Sequence, residues 1–171
     1  MNNNTLIRNG LRFTFLLLLQ VLVISHIHIS SQITPYIYIL AVLLLPFNTP
    51  KWALLVSAFV LGFFVDIFSG TMGLHMAVTV LLAFVRPTLL SLISFGRDVN
   101  SDDTPDMKGL GVDWFISYVS VMILLHHTAL FFLEVFRWDE IIPTLLRILY
   151  SSVATFVLIV LGQILFISRK A

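Results

Sequence analysis

The sequence predicts an all-α integral membrane protein with six transmembrane helices, the second one short, in a single domain over residues 1–171. Three observations lead there. Hydrophobic residues make up 58% of the chain and charged residues 11%, and the mean hydropathy is +1.00, which a soluble domain of this length could carry only with large exposed apolar patches. The apolar residues fall in runs near the length of about 20 residues that a spanning helix needs at 1.5 Å rise per residue. The few basic residues sit between those runs rather than in a patch, so a net charge of +1 gives no reason to expect nucleic acid.

The runs cover residues 11–29, 36–47, 52–68, 74–95, 114–136 and 141–167. The first follows Arg8 and Arg12 and leads into SHIHISSQ without a small-residue cleavage pattern, which reads as an uncleaved signal anchor. The second ends in PFNTP, where Pro46 and Pro50 bracket a turn, so it is a half-depth or tilted span. The third and fourth are joined by a short uncharged turn, and Arg86-Pro87 in the fourth marks a kink. There the arginine is expected to snorkel to headgroups, with residues 88–95 along the surface. Between the fourth and fifth runs lies GRDVNSDDTPDMKGLGVD, residues 96–113, a water-exposed loop rich in Asp and Gly. The fifth and sixth runs meet at a turn near Asp139, beside which Trp138 fits an interfacial belt.

Short cytoplasmic connections collect Lys and Arg. With six spans, Arg8, Arg12, Lys51, Arg97, Lys108, Arg169 and Lys170 fall on one side and only Arg137 on the other. Both termini and the loop 96–113 are therefore expected to be cytoplasmic. Removing the short second span would largely erase that asymmetry.

The stretch GFFVDIFSGTMGLH, residues 62–75, places a carboxylate in an otherwise apolar helix. A lone charge at the centre of a bilayer costs roughly 2.5–3.5 kcal/mol on insertion scales, so Asp66 calls for a partner or a use. Ala58, Gly62, Asp66 and Gly70 recur at i+4 and form one stripe of small side chains around that carboxylate, suited to helix packing or partner docking. The turn puts His75 at a similar depth on the next helix, within reach of a hydrogen bond to Asp66.

Ser120, His127 and Glu134 share a side of the fifth helix, and Arg147, Ser151 and Thr155 a side of the sixth. The intervening turn sets Glu134 opposite Arg147 as a structural ion pair. His126, His127 and Glu134 do not make a metal site by spacing, because adjacent histidines point about 100° apart on a helix and the H-x-x-x-H arrangement is missing. His26 and His28 read as interfacial. Absence of cysteine removes disulfides and thiolate chemistry. No nucleophile elbow, phosphate-binding glycine loop or paired intramembrane aspartate appears, so neither an enzyme nor a cofactor is expected.

In order, LPFNTPKW (45–52), GFFVDIFSGTMGLH (62–75), AFVRP (83–87), a polar loop and LLHHTALFFLE (124–134) resemble the rod shape-determining protein MreD as it looks in Bacteroidetes. The resemblance runs over nearly the whole chain. It implies a non-enzymatic inner-membrane subunit of the cell-elongation machinery. Such a subunit acts with MreC and, through it, with RodA and penicillin-binding protein 2, and has an indirect link to MreB. Proteins of this kind are similar in size and span count to the substrate-binding S components of energy-coupling-factor transporters. The competing expectation is therefore a small-molecule pocket lined by Asp66, His75, Glu134 and Arg137.

Overall fold

The computed structural model describes residues 3–26, 33–97, 99–100, 103–136 and 138–168. Arg137, Arg169, Lys170 and His28, which entered the charge and interface expectations, lie outside them. Every regular element among the described residues is helical: α1 (Asn3–Leu22), α2 (Leu40–Leu43), α3 (Lys51–Ser69), α4 (Leu74–Ile93), α5 (Met107–Leu110), α6 (Val112–Val135) and α7 (Ile141–Ser168). Single 3-10 turns sit at Ile24–His26, Ile37–Ile39 and Trp138–Glu140.

Four helices are long and apolar enough to cross a bilayer: α3, α4, α6 and residues Ile141–Leu165 of α7. They correspond to the last four predicted runs, as in a multi-pass membrane protein. The first two runs behave differently. α1 begins at Asn3 and ends at Leu22, earlier than the run 11–29, and its first half carries Asn3, Asn4, Arg8, Asn9 and Arg12. The second run contains only the 3-10 turn and α2, and from Tyr36 to Leu44 every residue is buried.

Proline explains why this second element is short. Pro35 holds Thr34 away from helical geometry, and Pro46 cannot continue a helix. The nine residues 36–44 could reach only about 13 Å as a helix, less than half of a hydrocarbon core of about 30 Å. Such a segment is tolerated at membrane depth only inside protein. α3 packs along α4, α4 along α6 and α6 along α7, α1 lies against α3 and the short segment, and α7 reaches residues 37–39. The long helices therefore wrap the broken one. Their outer sides expose Phe59, Phe63, Ile67, Phe84, Leu124, Leu149, Val153 and Leu161, the surface a hydrocarbon solvent requires.

Each end of the short segment has its backbone groups answered by side chains. At one end the Thr34 N–H donates to Ser151 Oγ at 3.0 Å and the Tyr36 N–H to Thr155 Oγ1 at 3.0 Å. Gln20 completes that end, accepting from the Ile37 N–H at 2.8 Å and donating to the Pro35 carbonyl at 3.2 Å. At the other end Arg12 Nη1 donates to the Leu44 carbonyl at 2.8 Å, and the Tyr118 hydroxyl to the Leu43 carbonyl at 3.2 Å. Arg86 Nη2 reaches both the Leu43 carbonyl, at 3.3 Å, and the Leu45 carbonyl, while its Nε donates to the Tyr118 oxygen at 3.1 Å.

Arg86 thus corrects a sequence expectation. It is 1% exposed and does not snorkel, because the C-terminal carbonyls of α2 offer acceptors inside the protein. The negative end of that helix also favours a cation. α4 continues through Pro87 to Ile93 rather than leaving along the surface.

The loop after α4 packs back on the PFNTP turn, where the Phe47 N–H donates to the Asp103 carbonyl at 3.1 Å. Asp106 caps α5 by accepting from the Gly109 N–H at 2.9 Å, and Arg97 Nη1 donates to the Leu110 carbonyl at 3.0 Å. This loop end of the molecule also holds the start of α3 and of α6. The opposite, turn end carries the α3–α4 and α6–α7 connections.

Replacing Arg86 by Leu is expected to lower the unfolding free energy by about 3–5 kcal/mol, since the Leu43 and Leu45 carbonyls and the Tyr118 oxygen then lose their charged donor. Lys at this position is expected to recover only part of the loss, because it lacks the planar set of donors. Thermal unfolding of the purified variants in one detergent checks both statements.

Candidate functional site

The α3–α4 turn is built by its glycines and by Asp66. α3 stops at Ser69 because Gly70 adopts the left-handed conformation, φ 67°, and its N–H caps the Asp66 carbonyl. Gly73 precedes α4 with φ 87° and has no side chain to cap it. Asp66 supplies the missing cap from the neighbouring helix. Its Oδ1 accepts from the His75 N–H at 3.0 Å and its Oδ2 from the Met76 N–H at 2.9 Å, two of the N–H groups that a helix start leaves unpaired. The Thr71 hydroxyl and His75 Nδ1, the latter at 3.1 Å, also donate to Oδ1. A carboxylate at this position is further favoured by the positive end of the α4 dipole.

Gly62, one turn before Asp66, lets the two backbones meet. A Cβ built there would lie 2.7 Å from both the His75 carbonyl oxygen and the Met76 nitrogen, closer than packed atoms approach. Ala58 is fully buried on the same face. Gly70 does not belong to that packed stripe, because the helix has ended. It is exposed, and a Cβ there would meet nothing within 4 Å.

Below this turn lies a layer of aromatic and imidazole rings. Tyr36 sits edge-on to His75 and His126, with ring centroids 5.2 and 5.7 Å away, and 5.6 Å from His127. Two hydrogen-bonded chains organise the layer. In the first, the Thr79 hydroxyl donates to the His75 carbonyl at 2.6 Å, and the Tyr38 oxygen lies 3.2 Å from Thr79 Oγ1 and 2.8 Å from His126 Nε2. With the Thr79 proton already used, every contact is satisfied if His126 Nε2–H donates to Tyr38 and Tyr38 to Thr79. In the second, His127 Nδ1–H donates to the Ile123 carbonyl at 2.9 Å. The Thr155 hydroxyl then donates to His127 Nε2 at 3.1 Å while accepting from Tyr36 N–H. His75 Nε2 and His126 Nδ1 are buried without a partner among the described residues.

Glu134 and Arg147 approach to 3.0 Å across the α6–α7 turn, both partly exposed, and the Arg147 guanidinium stacks over Phe131 at 4.2 Å. Of the other residues on those faces, His127, Ser151 and Thr155 are buried and Ser120 is exposed. No group of three or more His, Cys, Asp or Glu among the described residues is arranged to hold a metal ion.

Sequence reasoning missed Tyr38, Thr79, Gln20 and the Arg86–Tyr118 pair. One signal was available: His75, Thr79, Ala83 and Arg86 share a face of α4, and Tyr118, Met122 and His126 recur at i+4 on α6. No known protein family, curated protein or solved structure matches this chain.

Gly62→Ala is expected to destabilise the protein by about 1–3 kcal/mol through overpacking at the helix crossing. Gly162→Ala, in α7 with open space around it, is expected to be neutral or stabilising by up to about 1 kcal/mol. Parallel melting curves of the two variants separate close approach from generic helix propensity. Asp66→Ala is expected to cost about 3 kcal/mol or more by stranding the His75 and Met76 N–H groups, and Asp66→Asn less, since an amide oxygen still accepts. Hydrogen exchange at the first turn of α4 reports that loss directly: faster exchange in Asp66→Ala than in Asp66→Asn is expected, and equal rates would contradict the cap.

Proposed function

We propose that the chain is a non-enzymatic subunit of a bacterial cell-elongation complex, held in the inner membrane. It would work beside MreC, with RodA and penicillin-binding protein 2 as further partners and MreB linked indirectly. In this reading α1 and the wrapped short segment complete a six-pass layout with both termini and the loop end cytoplasmic. The ordered motifs of the sequence support the family.

The observation that carries the scaffold role is the employment of Asp66. Its side-chain oxygens receive hydrogen bonds from Thr71, His75 and Met76, so the motif's charge serves the architecture. Glu134 is likewise engaged with Arg147, so both carboxylates of the expected small-molecule pocket are already paired, while its Arg137 lies outside the described residues. Internal pairing of its charges is what a scaffold of rigid hairpins in a membrane needs.

Docking then falls to another surface. Ala58 and Gly62 face α4, whereas the opposite side of α3 exposes Phe59, Phe63, Phe64 and Ile67, with Phe59 and Phe63 stacked at 6.3 Å. Large exposed aromatics on a rigid helix suit a partner helix in the membrane.

Affinity purification of the tagged chain from its native membrane in mild detergent, followed by mass spectrometry, tests the proposal. Recovery of MreC, RodA or penicillin-binding protein 2 is expected, with recovery falling at least several-fold in a Phe59→Ala, Phe63→Ala double variant that melts like the parent. Recovery of an ATPase module and its coupling subunit in their place would overturn the proposal in favour of a transporter subunit.

A further inference from the structure

At the loop end, between the PFNTP turn, the start of α3 and the end of α4, is a cavity of about 340 Å³, within the size range of about 300–1,000 Å³ common for small-molecule sites. Three cations line it, Lys51, Arg86 and Arg97, together with Thr49, Ser91 and Ser94. No carboxylate is part of that lining among the described residues. None of the three cations makes an ion pair among the described residues either.

The cavity has a buried floor and an open mouth. Arg86 lies at the floor, 1% exposed. Its Nε and Nη2 are held by Tyr118, Leu43 and Leu45, which leaves Nη1 without a hydrogen bond among the described residues. Ser94 Oγ, at the C-cap of α4, is a buried hydroxyl with no partner among the described residues. The other two hydroxyls are spent as donors, Thr49 on the Pro46 carbonyl at 2.7 Å and Ser91 on the Thr88 carbonyl at 2.8 Å. Lys51 and Arg97 are exposed at the mouth. Leu54 and Leu90 add apolar wall.

We propose that this cavity binds a phosphate group, with Arg86 Nη1 and Ser94 Oγ as the inner donors and Lys51 and Arg97 closing over its outer oxygens. An immobilised guanidinium and a free hydroxyl supply fixed donors, and charge-assisted hydrogen bonds to a multi-oxygen anion are the strong kind. Uncompensated cations at the edge of a low-dielectric body favour an anion more than they would in water. The cavity lies where the ends of α3 and α4, helices long and apolar enough to cross a bilayer, meet polar loops, and spanning helices would set it at headgroup level. The same chemistry would admit the phosphate of a soluble compound. The volume leaves room for whatever the phosphate is attached to.

The test uses the full chain in nanodiscs and in detergent, with three probes: phosphatidic acid, phosphatidylcholine and inorganic phosphate. Native mass spectrometry reads retained lipid, and melting curves at constant ionic strength read stabilisation. Retention of phosphatidic acid over phosphatidylcholine is expected, falling about tenfold in Lys51→Gln/Arg97→Gln and also reduced in Ser94→Ala. It should be unchanged in Arg8→Gln/Lys108→Gln, which removes two cations elsewhere on the chain. Both cavity variants keep Arg86, and because Lys51→Gln/Arg97→Gln also loses the exposed Arg97–Leu110 hydrogen bond, each variant's retention and stabilisation are read against its own ligand-free melting curve. Stabilisation by inorganic phosphate that these variants lose would assign the site to a soluble phosphate compound. An equal loss in the Arg8/Lys108 variant, or no response to any of the probes, would overturn the proposal.

Discussion

The structure depends on one constraint: a stretch of backbone too short to span a membrane as a helix is enclosed among helices long and apolar enough to cross one, and its polar groups have no water to turn to. Each unpaired N–H or C=O in such a place costs several kcal/mol. The segment from Thr34 to Leu45 meets that cost through side chains drawn from every long helix except α3. Gln20 and Arg12 come from α1, Arg86 from α4, Tyr118 from α6, and Ser151 and Thr155 from α7. Gln20, Arg86, Ser151 and Thr155 are four of the twelve buried polar or charged residues among those described. The order in which the long helices surround the segment follows from which of its ends each must serve.

α3 contributes in a different way. It binds its neighbour by proximity, through Gly62, and by capping, through Asp66. The two are linked, because the carboxylate can reach the His75 and Met76 N–H groups only if the α3 and α4 backbones touch one turn away. His75 is fixed by the same contact, and its ring then forms one wall of the Tyr36 layer. The α3–α4 turn and the broken segment are therefore one mechanical unit: Asp66 positions His75, His75 packs on Tyr36, and Tyr36 starts the segment.

What could be read from the sequence was local. The Asp66–His75 and Glu134–Arg147 contacts follow from turn length and helical spacing, both of which are properties of a few dozen consecutive residues. The role of Arg86 was not legible, because its partners are carbonyl oxygens more than forty residues away and carbonyls leave no trace in residue type. A membrane arginine beside a proline looks the same whether it turns outward to headgroups or inward to a helix end. The second apolar run misled in a related way. Its composition is that of a lipid-exposed span, but it is apolar because it is surrounded by protein, and only its length and its flanking prolines hinted at the difference. Gly70 failed as a stripe residue for the opposite reason: the i+4 pattern continued past the point where the helix stopped.

The choice of arginine at position 86 connects the fold to its loop-end surface. Lysine could neutralise one carbonyl of the broken helix, but its three donors radiate from a single nitrogen. The guanidinium presents separate edges, so Nε can serve Tyr118 and Nη2 the two carbonyls while Nη1 has no hydrogen bond among the described residues. Enclosing the charge is tolerable because those acceptors carry the negative end of a helix, yet none of them is a counter-ion. Among the described residues the positive charge that closes the core has no counter-ion, and it lines the same cavity as Lys51 and Arg97. Burying a cation against carbonyls rather than a carboxylate secures the broken segment and at the same time makes the loop end attractive to an anion.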